Sequence, residues 1–229
     1  NLASTDQSTD TCTNNGNVMN PLDTFYSSHT LSEGNLKVTI PNNTVESFST
    51  STFGMSSGKW YWECKVGSAS GTERYNIGII DRPSIRTDME IGKYAEGYAY
   101  NTVGNVTHND AEISGSWSSY TANDIIGVAL DLDNNRLFFS KNGTFQNSGD
   151  PTSSTGAITV TAPSSLDNGN YFCACGDSSN GGGSIEFNFG SPPYSISSGN
   201  SDGNGYGNFE YAVPSGYFAL NTKNLAEFG

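Results

Sequence analysis

Large apolar side chains recur at every second position in short runs, and each run is closed by Gly, Asn, Ser or Pro. KWYWECKV (59–66) is the clearest: Trp60, Trp62, Cys64 and Val66 fall on one face, and Tyr61, Glu63 and Lys65 on the other. A helical repeat of about 3.6 residues would scatter these side chains around the axis, so the pattern specifies a strand buried on one side. Two indoles on one face make this strand the expected anchor of the core.

The same period continues along the chain. NLKVTI (35–40), YNIGIID (75–81) and EGYAYNT (96–102) read as strands. Gly78 inside the second marks a bulge or a close backbone approach, and Tyr98 and Tyr100 share a face of the third. DIIGVALDLDNNRLFFSKNGTFQ (124–146) is a hairpin with a DNN turn and a second turn at Asn142-Gly143. ITVTA, NYFCACG and SIEFNFG supply further strands. Residues 176–208, rich in Gly, Ser and Asn, are predicted to be mostly loop, and only Leu220–Phe228 reads as a short helix or docked tail. Strands about every ten residues, with no repeat and no boundary, predict an all-β fold: a single antiparallel two-sheet β-sandwich. Residues 1–20 read as a polar arm or linker, and 21–229 as the sandwich with a C-terminal tail from about 209.

Composition narrows the function. With 10 Lys+Arg against 23 Asp+Glu the net charge is −13, and no basic stripe occurs, so no nucleic-acid partner is expected. No apolar run approaches the ~20 residues of a membrane span, so no membrane insertion is expected. The opening NLASTDQSTDTCTNNGN lacks the basic-then-apolar order of a signal peptide, and a chain starting at Asn1 reads as processed or excerpted. Four cysteines make no disulfide scaffold. Cys173 and Cys175, at i and i+2 on one strand face, lie near or beyond the usual Cα limit of about 6.8 Å and are expected to be reduced and to pack as small hydrophobes. His29 and His108 stand alone, so neither a metal nor another cofactor is expected.

Taken together and in this order, GKWYWECKV (58–66), YNIGII (75–80), DIIGVALDLDNNRLFFSKNG (124–143) and SIEFNFG (184–190) resemble the SPRY domain, a concanavalin-like jelly roll. The flanks TNNGNVMNPLD (13–23), LSEGNLKV (31–38) and VPSGYFALNTKNL (213–225) are similar to the surroundings of SPRY-like modules in structural proteins of tailed, especially aquatic, bacteriophages. The inserted loop 197–208 departs from the compact family ending. The resemblance implies a non-enzymatic virion structural protein at the virion surface or outside the cell: a fibre, appendage or capsid-surface module for host adhesion. Its implied partners are other virion subunits, further copies of itself and a host-surface glycan. The rivals are a purely architectural decoration, a peptide-binding adaptor and a glycan-cleaving enzyme.

That last rival needs two carboxylates about 5–5.5 Å or 6.5–9.5 Å apart, and no E-x-D-x-x-E strand supplies them. Glu63 and Glu186 read as isolated acids on outward faces, and Asp131 and Asp133 as turn caps, so no catalytic residue is assigned. D-L-D-N-N opens like a calcium loop but has Arg136 and Asn142 where Gly and Glu are required; a looser cation site at Asp202 is the remaining option. For ligand binding at the loop rim the candidates are Tyr98, Tyr100, Trp117 and Tyr120, with Arg82, Asn101 and Asp110 nearby, because rings stack on sugar C–H faces while polar groups read hydroxyls. Leu22, Phe25, Tyr26, Phe209, Tyr211, Tyr217, Phe218 and Leu220 are expected to pack on this module or on a neighbour.

Overall fold

The computed structural model describes residues 11–23, 28–42, 45–71, 75–81, 89–178 and 181–229. Along them run β1 (Thr30–Ser32), β2 (Lys37–Ile40), β3 (Glu46–Met55), β4 (Lys59–Gly71), β5 (Tyr75–Ile80), β6 (Gly97–Asn101), β7 (Val106–His108) and β8 (Ala111–Ile113). A hairpin of β9 (Ile125–Asp131) and β10 (Arg136–Lys141) follows, then β11 (Thr144–Phe145), β12 (Ile158–Thr159), β13 (Tyr171–Ser178) and β14 (Gly181–Asn188). The chain closes with β15 (Phe218–Ala219) and helix α1 (Thr222–Phe228). One sheet runs β1-β2-β14-β4-β9-β10-β11, with β12 on β10 and β15 on β4; the other runs β3-β13-β5-β6-β7-β8. The pairings are antiparallel except that of β15 with β4.

β4 does what its alternation predicts. Trp60, Trp62, Cys64 and Val66 lie opposite Leu130, Val128, Ile126 and, on the far side, Ile185. Their inward faces meet Ile77, Ile79, Tyr98, Tyr100, Cys173 and Cys175 of the second sheet in one buried cluster. The three buried cysteines are free thiols whose pKa is pushed up by desolvation, as suits small core hydrophobes. Gly78 marks a close approach and not a bulge: the β5–β6 register is continuous through it, and a Cβ there would overlap the Tyr98 carbonyl oxygen.

Both outer faces are covered, which period-two reading alone does not foresee. On the second sheet, Phe48, Ile80, Ala99 and Ala174 lie under Ile91 and Tyr94. On the first, Tyr61, Ala129 and Phe138 lie under Phe209 and Tyr217, carried by the long strap of residues 189–217. Glu63 is therefore not an exposed outward acid but fully buried. Its carboxylate accepts from the Glu210 and Tyr211 amides (3.0 and 2.8 Å), Asn188 Nδ2 (3.1 Å) and Tyr61 Oη (3.2 Å). Burial raises its pKa, and these donors only partly offset the shift.

The expected arm is, from Asn14 onward, stitched into the sandwich. Asn17 N donates to Leu220 O, Met19 N to Asn35 O and Thr52 N to Val18 O (2.8–3.0 Å), and the Met19 side chain is fully buried. The tail lies on its own module: Phe209, Tyr217 and Leu220 are buried, and Phe218 stacks on Phe228 at 3.9 Å. Leu22 is 87% exposed, and Phe25 and Tyr26 lie outside the described residues.

Candidate functional site

At the end of the sandwich where β6 turns into β7, two loops meet: 101–105 and 114–124. Tyr100 and Tyr120 are the posts beneath them. Their rings make an edge contact at 5.0 Å; Tyr100 Oη donates to Ser118 O, and Tyr120 Oη to Tyr75 O and Tyr100 O (3.1 and 2.9 Å). Trp117 is half-buried, 6.1 Å from the Tyr100 ring, with its indole N–H donating to Ile113 O.

The 114–120 segment has no regular structure, yet Ser116, Ser118, Ser119 and Tyr120 each tie it down through a backbone hydrogen bond. Ser116 N donates to Asn147 Oδ1 (3.2 Å), Asn147 N to Ser116 O (2.9 Å), Ser118 N to Gln146 Oε1 (3.1 Å), Lys141 Nζ to Ser119 O (2.8 Å) and Tyr120 N to Thr102 O (3.0 Å). Gly104, at φ +89°, lets the 101–105 loop press against Trp117–Ser119, where any Cβ would collide with backbone. The neighbouring Asp124 pairs with Lys141 (3.1 Å) and accepts from Thr121 N and Asn142 Nδ2. Burial would raise that carboxyl, but these three partners hold it below the usual aspartate range. Above this frame stand Val103, 57% exposed, and the hydroxyls of Ser114, Ser116, Ser118, Ser119 and Thr121.

The candidates chosen from sequence divide accordingly. Tyr100, Trp117, Tyr120 and Asn101 come together here, Asn101 Oδ1 bracing its loop through Asn105 N (3.1 Å). Tyr100 and Tyr120 are buried, so they support the rim and present no ring face to a ligand. Tyr98 sits further back along β6, buried, stacked on His108 at 4.0 Å, with its hydroxyl toward Thr161. Asp110 lies at the far end of β7, in a left-handed turn against Gly92. Arg82 lies outside the described residues. Val103 was missed because one apolar residue in a Gly/Asn turn carries no periodic signal.

Other chemistry resolves into structure. Asp131 accepts from Asn134 and pairs with Lys59 (3.1 Å), and Asp133 accepts from Gly58 N, as turn caps do. Asp202 gives one oxygen to Asn204 N and Tyr206 N and the other to Ala219 N and Asn224 Nδ2, so its loop is closed by the chain itself. Among the described residues no cluster of three His, Cys, Asp or Glu side chains is placed to hold a metal, and no helix is long and apolar enough to cross a membrane. His29, Ser47 and Asp177 do touch, but Ser47 stands between the acid and the imidazole, the reverse of a base-activated nucleophile.

Comparison with known proteins follows the same lines. No curated protein matches the chain. The crystal structure of the SPRY domain of human HERC1 superposes with a TM-score of 0.56 at 18% identity, over 74% of this chain and 96% of that one, which establishes a shared fold. The family model of the SPRY domain matches residues 59–192, more than half of the sequence and the stretch that holds the tryptophan strand, the central hairpin and the rim. The chain therefore belongs to the SPRY domain family.

Proposed function

We propose that this chain is a non-enzymatic recognition module whose 101–105/114–124 rim docks a host-surface molecule, and that it is displayed on a tailed-phage particle. The docking part rests on one observation: an irregular loop, tied down by hydrogen bonds at Ser116, Ser118, Ser119 and Tyr120, sets Trp117 and a row of hydroxyls beside the exposed Val103 at the end of a rigid sandwich. Such a surface binds with little ordering cost. SPRY domains are typically protein-interaction modules and generally not enzymes, which favours binding over chemistry. Placement on a virion, among other virion subunits and copies of itself, rests on the flanking resemblance of 13–23, 31–38 and 213–225.

A peptide ligand is the second reading. It is favoured by the burial of Tyr98, Tyr100 and Tyr120, which withdraws three sugar-stacking rings from the surface. Glycan and peptide arrays probed with the intact chain separate the two. Val103→Asp is expected to weaken the captured ligand at least about tenfold, about 1.4 kcal/mol, with an unchanged melting temperature. Binding indifferent to Val103→Asp removes the rim from the reading. Particles that lack the module and still adsorb normally remove adhesion.

A further inference from the structure

Away from the rim, the N-terminal segment, the end of β14 and the strap loop form a half-open pocket of about 200 Å³. Asn14, Gly16, Phe189, Gly190, Ser191, Gly205, Tyr206, Gly207 and Asn221 line it. We propose that it is a binding site for a single neutral pyranose ring, a function separate from rim docking that does not depend on it.

Size comes first. The volume falls below the roughly 300–1,000 Å³ of sites for drug-sized ligands, so one ring and not a chain is the natural occupant. Charge comes second. In a protein with 33 charged Asp, Glu, Lys and Arg residues, none of the nine lining residues carries a charge, so an ionic ligand would be desolvated there without a counter-ion. The available groups are amides, hydroxyls, bare backbone and one aromatic side chain, Tyr206; the Phe189 ring behind them is buried and stacked on Phe187. That mixture matches a molecule with hydroxyls on its edge and C–H groups on its face.

The donors are also pre-set. Asn14 Oδ1 accepts from Lys223 N (3.2 Å) and Thr222 Oγ1 (3.4 Å), and Asn221 Oδ1 from Asn224 N (2.9 Å). With the oxygens engaged, the two Nδ2 groups donate to no acceptor among the described residues and are available to hydroxyl oxygens. Gly190, Gly205 and Gly207 have φ of +121°, +79° and +94°, a region that disfavours any side chain, so that wall stays bare. Asp202 pins the 202–206 loop, so the wall exists before a ligand arrives.

Backbone amide spectra of the intact chain, titrated with methyl glucoside, methyl galactoside, methyl mannoside and glucuronate, test this. At least one neutral glycoside is expected to give saturable shifts centred on Gly16, Gly190, Ser191, Gly205, Gly207 and Asn221, with glucuronate at least about tenfold weaker. Ser191→Trp, which adds an indole to the lining, is expected to abolish those shifts, and Val103→Asp to leave them intact. Should Ser191→Trp fail to fold, Tyr206→Ala is expected to weaken binding about tenfold. No saturable shift with any neutral glycoside, an equal response to glucuronate, or shifts that survive the lining variants would overturn the assignment, whatever the rim binds.

Discussion

Buried at the seam between the sheets, His29 is held by Ser49 Oγ at Nδ1 (2.7 Å) and by Ser47 Oγ at Nε2 (3.0 Å). Ser47 gives its own proton to Asp177 Oδ1 (2.9 Å), so Nε2 is the donor and Nδ1 accepts from Ser49. Desolvation lowers the imidazole pKa from 6.5 to about 4. It raises Asp177 from 3.8 to about 7 against the pull of Ser47, and Oδ2 has no hydrogen-bond partner among the described residues. As pH falls from 6.5 toward 4, the unfolded chain gains a proton on His29 that the folded chain refuses, which weakens folding. Between 7 and 4 the folded chain gains one on Asp177 that the unfolded chain refuses, which strengthens it. Each slope approaches about 1.4 kcal/mol per pH unit, and they oppose one another. Urea unfolding across pH 4–7 is therefore expected to find little net dependence from this pair. His29→Asn should make stability fall as pH rises through that window, and Asp177→Asn should make it fall as pH drops below 6.5. Two variants with the parent profile would dismiss the coupling.

Among the elements, β5 leaves no room for a side chain at Gly78, where the backbone of β6 closes over the position. Gly78→Ala must push the new methyl into the Tyr98 carbonyl, which is fixed backbone, and is expected to cost about 3 kcal/mol or more in thermal or urea unfolding. Gly127→Ala on β9 meets side-chain atoms, chiefly the Ser140 hydroxyl, which can change rotamer, and more distantly the Tyr61 hydroxyl; it should cost less than half as much. Equal losses would mean that the Tyr98 strand yields. β4, the β9–β10 hairpin and α1 were legible because their information is local: alternation, a capping turn, an apolar tail. The direction of a face was not. Tyr98 and Tyr100 alternate with Gly97 and Ala99, and whether the rings point to core or rim depends on a partner sheet that the local pattern does not name. Glu63 escaped for a similar reason, since the strap residues that hold it, Glu210 and Tyr211, lie 147 and 148 positions downstream in a segment with no periodicity of its own. The rim platform is tertiary throughout: its stays come from Asn147, Gln146 and Lys141, more than 20 residues away.

Across the whole molecule, the segment at 14–20 and the tail at 217–229 hold each other. Gly16 bridges Asn221, Asn15 N donates to Thr222 Oγ1, Thr222 N to Asn15 O and Lys223 N to Asn14 Oδ1. Leu225 and Phe228 then pack the helix onto the core. Deleting residues 222–229 removes both layers and is expected to cost about 3 kcal/mol, or about 6–12 °C in melting temperature for a domain of this size. Hydrogen exchange at the Asn17 and Met19 amides should accelerate with it. An unchanged melting temperature would show the two segments to be independent.

That clasp also fixes how the fold meets mechanical load. A pull applied through residues 11 and 229 first reaches the bonds joining 14–16 to 221–223, which would open one after another like a zipper, at low force. Only after they part would tension reach the β4–β9 ladder in which the tryptophans are anchored. Tethered at both segments, the domain would lengthen by a short yielding step while the sandwich and its rim stayed intact.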